Sequence, residues 1–437
     1  MLEHSPRASA PAPAALIVAL AMALVLLGAA PAALADPSDE PTPPEHAYSA
    51  DGKDVQGGAS LAQATTVAPG IHRDSFERGA ESTSKEGTEK YYRVAVEDGE
   101  RVHAAATIAA PPYPDGRPED DEGLGLAIGF RTAGGDTCTS DDDFAGEDMT
   151  GDGPVTAWAV SEAVGPDGCS GEELFLRVAR QGSRAADEPL PVEIQVAIQP
   201  PGIGGGAPAV DEEVEDDGAS PVSPVDDQPI ELGRSFAAAT PLEPGSHVVE
   251  LVPGETGMVS TQVREGQRLR WRTEVTAQPD GGKDVLALRT FNAAREQVTV
   301  GGGSWAAYDG DPIAGGGMAA PVDLGNRSSE LRAVQSAWLP GTHTIQLQRL
   351  QLPADAEPGA EEPLRLILTL EVEGEVAPDA VEGTVLELGE TTSQRDGLLG
   401  SAGGLGRVAM FVGAGLLTVT ALVTGVAGIL VLRLRRR

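Results

Sequence analysis

The chain has 437 residues, with 31 Lys and Arg against 67 Asp and Glu, a formal charge of −36. Such a surface repels phosphate, which excludes a nucleic-acid binder. With 55 Gly, 34 Pro and only 4% aromatics, turn-rich β domains are favoured over helical bundles, and two cysteines are too few for a disulfide-framework miniprotein.

In chain order, residues 1–35 are predicted to be a signal peptide. Arg7 precedes a small-residue and apolar run from Ala14 to Ala30, and Ala33-Leu34-Ala35 offers the small side chains that signal peptidase requires. Residues 36–58 are rich in Pro, Gly and acids and read as a disordered lead. Two blocks of similar size follow, 59–201 and 230–376, separated by an acidic Pro/Gly linker over 202–229. Asp211, Glu212, Glu213, Glu215, Asp216 and Asp217 in that linker should repel one another and extend it. A stalk is expected over 377–404.

The last element, 405–432, is predicted to be a transmembrane helix. Val408 to Leu432 carries no charge, and about 20 apolar residues suffice to cross a bilayer. Arg433, Arg435, Arg436 and Arg437 follow, and a basic cluster beside a span stays cytoplasmic. The expected location is therefore the cell membrane, single-pass, N-terminus outside and a basic cytoplasmic tail over 433–437.

Within both blocks the apolar period is two. Tyr92, Val94 and Val96; Leu124, Leu126, Ile128 and Phe130; and Val192, Ile194, Val196 and Ile198 alternate with polar or small residues. Leu269, Trp271, Thr273 and Val275, then Leu364, Leu366, Leu368 and Leu370, do the same in the second block. Strict alternation buries one side of each strand, and seven or eight such strands per block predict an antiparallel sandwich. The blocks also read as a duplication. Ala62, Ala64, Thr65, Pro69, Gly70 and His72 match Ala237, Ala239, Thr240, Pro244, Gly245 and His247 at a constant offset of 175, and Asp98-Gly99-Glu100-Arg101-Val102 lines up with Glu265-Gly266-Gln267-Arg268-Leu269 at 167.

The unit from Lys90 to Ile108, KYYRVAVEDGERVHAAATI, resembles the core of bacterial pre-peptidase C-terminal-type domains. Pro244-Gly245, Pro253-Gly254-Glu255-Thr256, Arg264-Glu265-Gly266-Gln267 and Leu339-Pro340-Gly341-Thr342 resemble the same module in uncharacterised actinobacterial membrane-anchored secreted proteins. Some of those carry a von Willebrand A domain, whose D-x-S-x-S metal motif is absent here. The resemblance implies tandem jelly-roll-like, non-catalytic accessory modules and no active-site residues.

Cys138 and Cys169 lie in one block of a chain read as exported, so a disulfide is expected. Asp141, Asp142, Asp143, Asp148 and Asp152 crowd one loop and make it a candidate for calcium, but their spacing fits no EF-hand, and a solvated acidic loop is the favoured reading. No other cofactor is expected. Ser82-Thr83-Ser84-Lys85 satisfies S-x-x-K without the buried helix that motif needs, and there is no H-E-x-x-H or G-x-S-x-G. Trp305 and Tyr308, beside Gly301-Gly302-Gly303, are candidates for a partner contact, against the equal alternative of folding back over the sandwich end.

The expected function is non-enzymatic cell-surface binding or scaffolding, with an envelope protein or cell-wall polymer as partner. The charge disfavours anionic wall polymers and favours cationic partners or ions. The alternative is an accessory subunit of a membrane enzyme or secretion complex, assembling through Gly413, Gly415, Gly425 and Gly428 of the span.

Overall fold

The computed structural model describes residues 46–389, apart from 81–86, 119–121, 143, 146–152, 167, 278, 280–284, 301–305 and 308–312. The fold is mainly β, with four sheets and only short helical turns. The expected signal peptide, transmembrane helix and basic tail lie outside the described residues. Among the described residues no helix is long and apolar enough to cross a membrane.

Eight principal strands form the first sandwich: β1 (Gly70–Phe76), β2 (Glu89–Ala95), β3 (Arg101–Ile108), β4 (Gly125–Arg131), β5 (Phe144–Ala145), β6 (Val155–Ser161), β7 (Glu173–Gln181) and β8 (Leu190–Gln199). They pair in the orders β1-β8-β3-β6 and β2-β7-β4-β5, with short flanking strands at the edges. The second sandwich repeats the pattern with β9 (Gly245–Leu251), β10 (Thr256–Val263), β11 (Arg268–Ala277), β12 (Val285–Phe291), β13 (Gln297–Val298), β14 (Ile313–Gly317), β15 (Gly341–Arg349) and β16 (Leu364–Glu373). Its orders are β9-β16-β11-β14 and β10-β15-β12-β13. Each strand of the first copy maps to the strand eight numbers later, and both orders are those of a jelly roll.

The alternating apolar residues become the two cores. Tyr92, Val94, Leu126, Phe130, Leu176 and Ile194 pack together in the first, and Trp271, Leu288, Ile345, Leu366 and Leu368 in the second. Details recur between copies. His72 Nε2 lies 2.8 Å from the Ala68 carbonyl, and His247 Nε2 lies 3.0 Å from the Glu243 carbonyl, four residues back in each case. Gly99 and Gly266 take φ of 84° and 86° at matching turns, a conformation that favours glycine.

Neither copy shows in its sequence the buried arginine that closes one end. Arg180 and Arg349, the equivalent positions of β7 and β15, are both fully buried. Arg180 donates to the carbonyls of Glu188 (2.7 Å) and Arg184 (2.9 Å). Arg349 donates to those of Leu251 (2.9 Å), Glu362 (2.7 Å) and Ala360 (2.8 Å). Burial pulls the Arg180 guanidinium down to about 10, so it remains a cation that satisfies loop carbonyls.

Three expectations about connecting segments are corrected. Residues 46–58 of the lead are packed: Ala47, Tyr48 and Ala50 are buried, and Lys53–Asp54 pairs with β1. The linker does not extend away. Its backbone crosses the outer face of the second sandwich, with Val214 N–H donating to Ala319 O and Ala219 N–H to Trp271 O. Gly218 sits so close to Gly315 and Gly316 that a side chain there would collide with their backbone. Residues 377–389 of the expected stalk run back to the first sandwich, where Glu387 and Ile198 exchange backbone hydrogen bonds.

Candidate functional site: the seam between the sandwiches

The two jelly rolls stack face to face. The inner residues of β3 and β8 face the first core, so His103, Ala105, Thr107, Glu193, Gln195, Ala197 and Gln199 form the opposite face of that sheet. All seven are buried. They are covered by the β10-β15-β12-β13 sheet, whose own outward residues Met258, Gln346, Gln348 and Phe291 are 1% exposed or less. The molecule is thus four sheets deep, with two apolar cores and one polar seam.

Two carboxylates anchor the seam. Glu193 on β8 is fully buried, and its Oε1 lies 2.6 Å from Arg295 Nη2 in the β12–β13 turn. Its Oε2 accepts from Tyr48 Oη (3.1 Å) and from the Asp51 N–H (2.9 Å). The packed lead therefore closes the same ion pair. Arg295 also lies over the Phe236 ring, 4.7 Å from its centroid.

Glu296, one residue on, is the second hub. Its Oε1 lies 2.8 Å from His103 Nδ1, and its Oε2 accepts from Trp338 Nε1 (2.7 Å) and Asn292 Nδ2 (3.0 Å). Burial opposes ionisation of this carboxyl. The His103 hydrogen bond and charge, the Arg327 charge and the Trp338 N–H outweigh it and hold Glu296 down to about 2. His103 stacks on Trp338 with centroids 5.5 Å apart, and Arg327 sits 4.5 Å from the same indole.

Apolar patches flank these hubs: Ala197, Ala293, Trp338, Leu339 and Leu386 at one end, Tyr48, Ala50, Phe236, Met258 and Phe291 at the other. A further contact joins two loops, where Tyr113 N–H donates to Gln351 Oε1 (2.7 Å) and Arg117 pairs with Pro353.

The free outer faces are different. On the first sandwich, Tyr91, Arg93, Phe175, Arg177 and Arg131 share one face, with Arg177 paired to Glu89 at 2.6 Å. On the second, Arg268 and Arg270 clamp Asp216 of the linker, at 2.7 Å each. Burial opposes ionisation of Asp216; Arg270, the Gly218 N–H and Arg268 outweigh it, so its carboxyl titrates below the usual range.

The residues singled out from sequence fall as follows. Cys138 and Cys169 form a disulfide, with Cα atoms 5.6 Å apart. Asp141 and Asp142 belong to a short strand at the edge of β6, while Asp143, Asp148 and Asp152 lie outside the described residues. Among the described residues, no group of three or more His, Cys, Asp or Glu is placed to hold a metal. Trp305, Tyr308, Ser82 to Lys85 and Arg433 to Arg437 also lie outside them. Trp271 is in the core at 2% exposed.

Sequence reasoning missed the seam. Glu193, Gln195 and Gln199 alternate with core residues and read as a solvent face, because period two reports polarity and not what covers it. One signal was available: Ala104-Ala105-Ala106 is small on both faces of β3, which lets another sheet pack closely on each.

No protein-family model matches the chain, and no curated protein matches it. Among solved structures, the chain is similar to the N-terminal CBM22-1–CBM22-2 tandem domain of Paenibacillus barcinonensis Xyn10C. That match has 12% identity and a TM-score of 0.18, over 73% of this chain and 95% of that one. The ANX1 ectodomain of Arabidopsis thaliana matches at 9% identity and a TM-score of 0.17, over 65% and 81%. Dimeric latent PorU of Porphyromonas gingivalis matches at 12% identity and 0.17, over 70% and 23%. At these scores the similarities carry no functional argument.

Proposed function

We propose that this chain is a non-enzymatic binding or scaffolding protein that displays two fused jelly rolls outside the cell membrane. The observation that carries this reading is the seam. The buried Glu193–Arg295 and His103–Glu296 pairs join two modules into one body, as a platform for presenting surfaces requires. The histidine–carboxylate pair that could serve acid–base chemistry is sealed, His103 being 1% exposed, and so holds sheets together instead of meeting substrate. The disulfide and the two sequence signals at the ends support an exported location. Partners would meet the loops or the arginine- and aromatic-bearing face of the first sandwich; an envelope protein or wall polymer remains the proposed partner class.

In-cell cross-linking with mass spectrometry, on a tagged full chain at native level, tests this. Reproducible links from the sandwiches to one exported protein are expected. Links confined to residues 377–432 would overturn it in favour of a complex subunit that assembles through the predicted span.

A further inference from the structure

We propose that His103 is a doubly protonated imidazolium that latches the two sandwiches, and that the seam around Glu296 loosens when rising pH removes one of its protons. The argument begins with acceptors. Nδ1 faces Glu296 Oε1 at 2.8 Å and Nε2 faces Gln199 Oε1 at 2.8 Å. The Gln199 amide is oriented by its other contacts: its Nε2 donates to Ile203 O at 2.8 Å, and its Oε1 accepts from Arg327 Nη1 at 3.3 Å. Both ring nitrogens therefore point at oxygens that accept. A neutral imidazole has one N–H and would leave a buried lone pair against an oxygen; the imidazolium satisfies both.

The surroundings agree. Glu296 is ionised and buried, and His103 Nδ1 lies 2.8 Å from its Oε1, so a proton there is held by a carboxylate. The charged groups around the ring are few. Glu296 comes from the β12–β13 turn, and Arg327 from the short helical turn Leu324–Ser328, over the stacked Trp338. Ala197 and Val160 flank His103 on the neighbouring strands, and Arg101, two residues back, donates to Ser161 O. Glu193 and Arg295 neutralise each other farther along the seam, and Glu387 pairs through its backbone with Ile198.

Duplication supplies an independent line. Strand register makes His103 the equivalent of Arg270, which holds the carboxylate of Asp216 in the segment that covers its own face. Both positions thus place a cation against a carboxylate of the covering layer. Arginine keeps its charge at every physiological pH, and histidine does not. The covering of the second sandwich is permanent and that of the first is titratable.

The test uses the purified full chain with histidine labelled in 15N, together with amide hydrogen exchange over residues 292–298 and 334–339, corrected for intrinsic rate. At about pH 5.5 both His103 nitrogens should be protonated. By about pH 8.5 one proton should be lost, and exchange protection in the two segments should fall at least ~10-fold, the equivalent of one pKa unit. His103→Arg should keep the segments protected throughout, and His103→Gln should leave them unprotected at every pH. Protection of β15 and β16 core amides reports whether each variant is folded. A singly protonated His103 at about pH 5.5 would overturn the proposal. So would wild-type protection in folded His103→Gln, or protection that ignores pH.

Discussion

Strands β3 and β11 are the same strand twice, and they differ on one side only. Their inner residues, Val102, Ala104 and Ala106 against Leu269, Trp271 and Thr273, are all buried in a core. Their outer residues have parted: His103, Ala105 and Thr107 lie under another sheet, whereas Arg270, Arg272 and Glu274 carry charge beneath a linker and beside water. The neighbours follow suit, since Glu193, Gln195 and Ala197 on β8 stand where β16 has Ile367, Thr369 and Glu371. A duplicated core is constrained by packing density and stays largely apolar. An outer face is constrained only by its cover, so it diverges as soon as the covers differ.

The most severe way to break this contrast is to exchange outer residues. Ala105→Arg installs in the seam what β11 carries at Arg272. Burying an unpaired cation in the seam, where Ala105 is fully buried, should cost about 4 kcal/mol or more and part the sandwiches, seen as lost protection of seam amides. The mirror change, Arg272→Ala, removes only a partly exposed pair with Glu274 at 2.6 Å and should shift stability by under about 1 kcal/mol in urea titration.

A second contrast lies inside the cores. Register places His343 of β15 where β7 has Leu174. Burial depresses the His343 imidazole from 6.5 to about 4, so it is neutral in the folded state. The unfolded chain takes up the proton first as the pH falls. Stability is therefore fully present above about 6.5 and lost progressively down to about 4, in total about 3 kcal/mol. His343→Leu should remove that acid sensitivity of the second sandwich, measured as urea midpoints from neutral to acid pH.

The smallest effect concerns the linker. Asp216→Asn keeps the shape and removes the charge held by Arg268 and Arg270. A loss of about 1 kcal/mol or less is expected, with faster exchange at Val214 and Ala219 as the sensitive readout.

Much of the fold was legible because period two marks a half-buried strand directly: Leu174, Leu176 and Val178 in β7, or Leu364 to Leu370 in β16, are where alternation put them. The duplication was legible through Gly99 and Gly266, whose turn needs a glycine. The linker was not. Its like charges would extend in water, but Asp216 meets two arginines that are 52 and 54 positions away and belong to another strand's alternation. The seam was hidden for the same reason: Glu193 and Arg295 look like ordinary surface residues until both their faces are known.

The stacking has a direction. The β1-β8-β3-β6 sheet of the first copy meets the β10-β15-β12-β13 sheet of the second, so two unlike faces of a repeated unit are joined. Head-to-tail association of repeats is open-ended, and a third unit could in principle add at either end. The terminal faces differ from the buried ones in chemistry. Where the buried partner sheet has Met258, Ser260, Gln346 and Phe291, the free sheet of the first copy has Tyr91, Arg93, Arg177 and Arg131. Where the buried sheet of the first copy has His103 and Ala105, the free sheet of the second has Arg270 and Arg272. Each outward face of the pair therefore carries paired charge, Arg177 with Glu89 on the first copy and Arg270 with Asp216 on the second, where its buried counterpart is neutral or small.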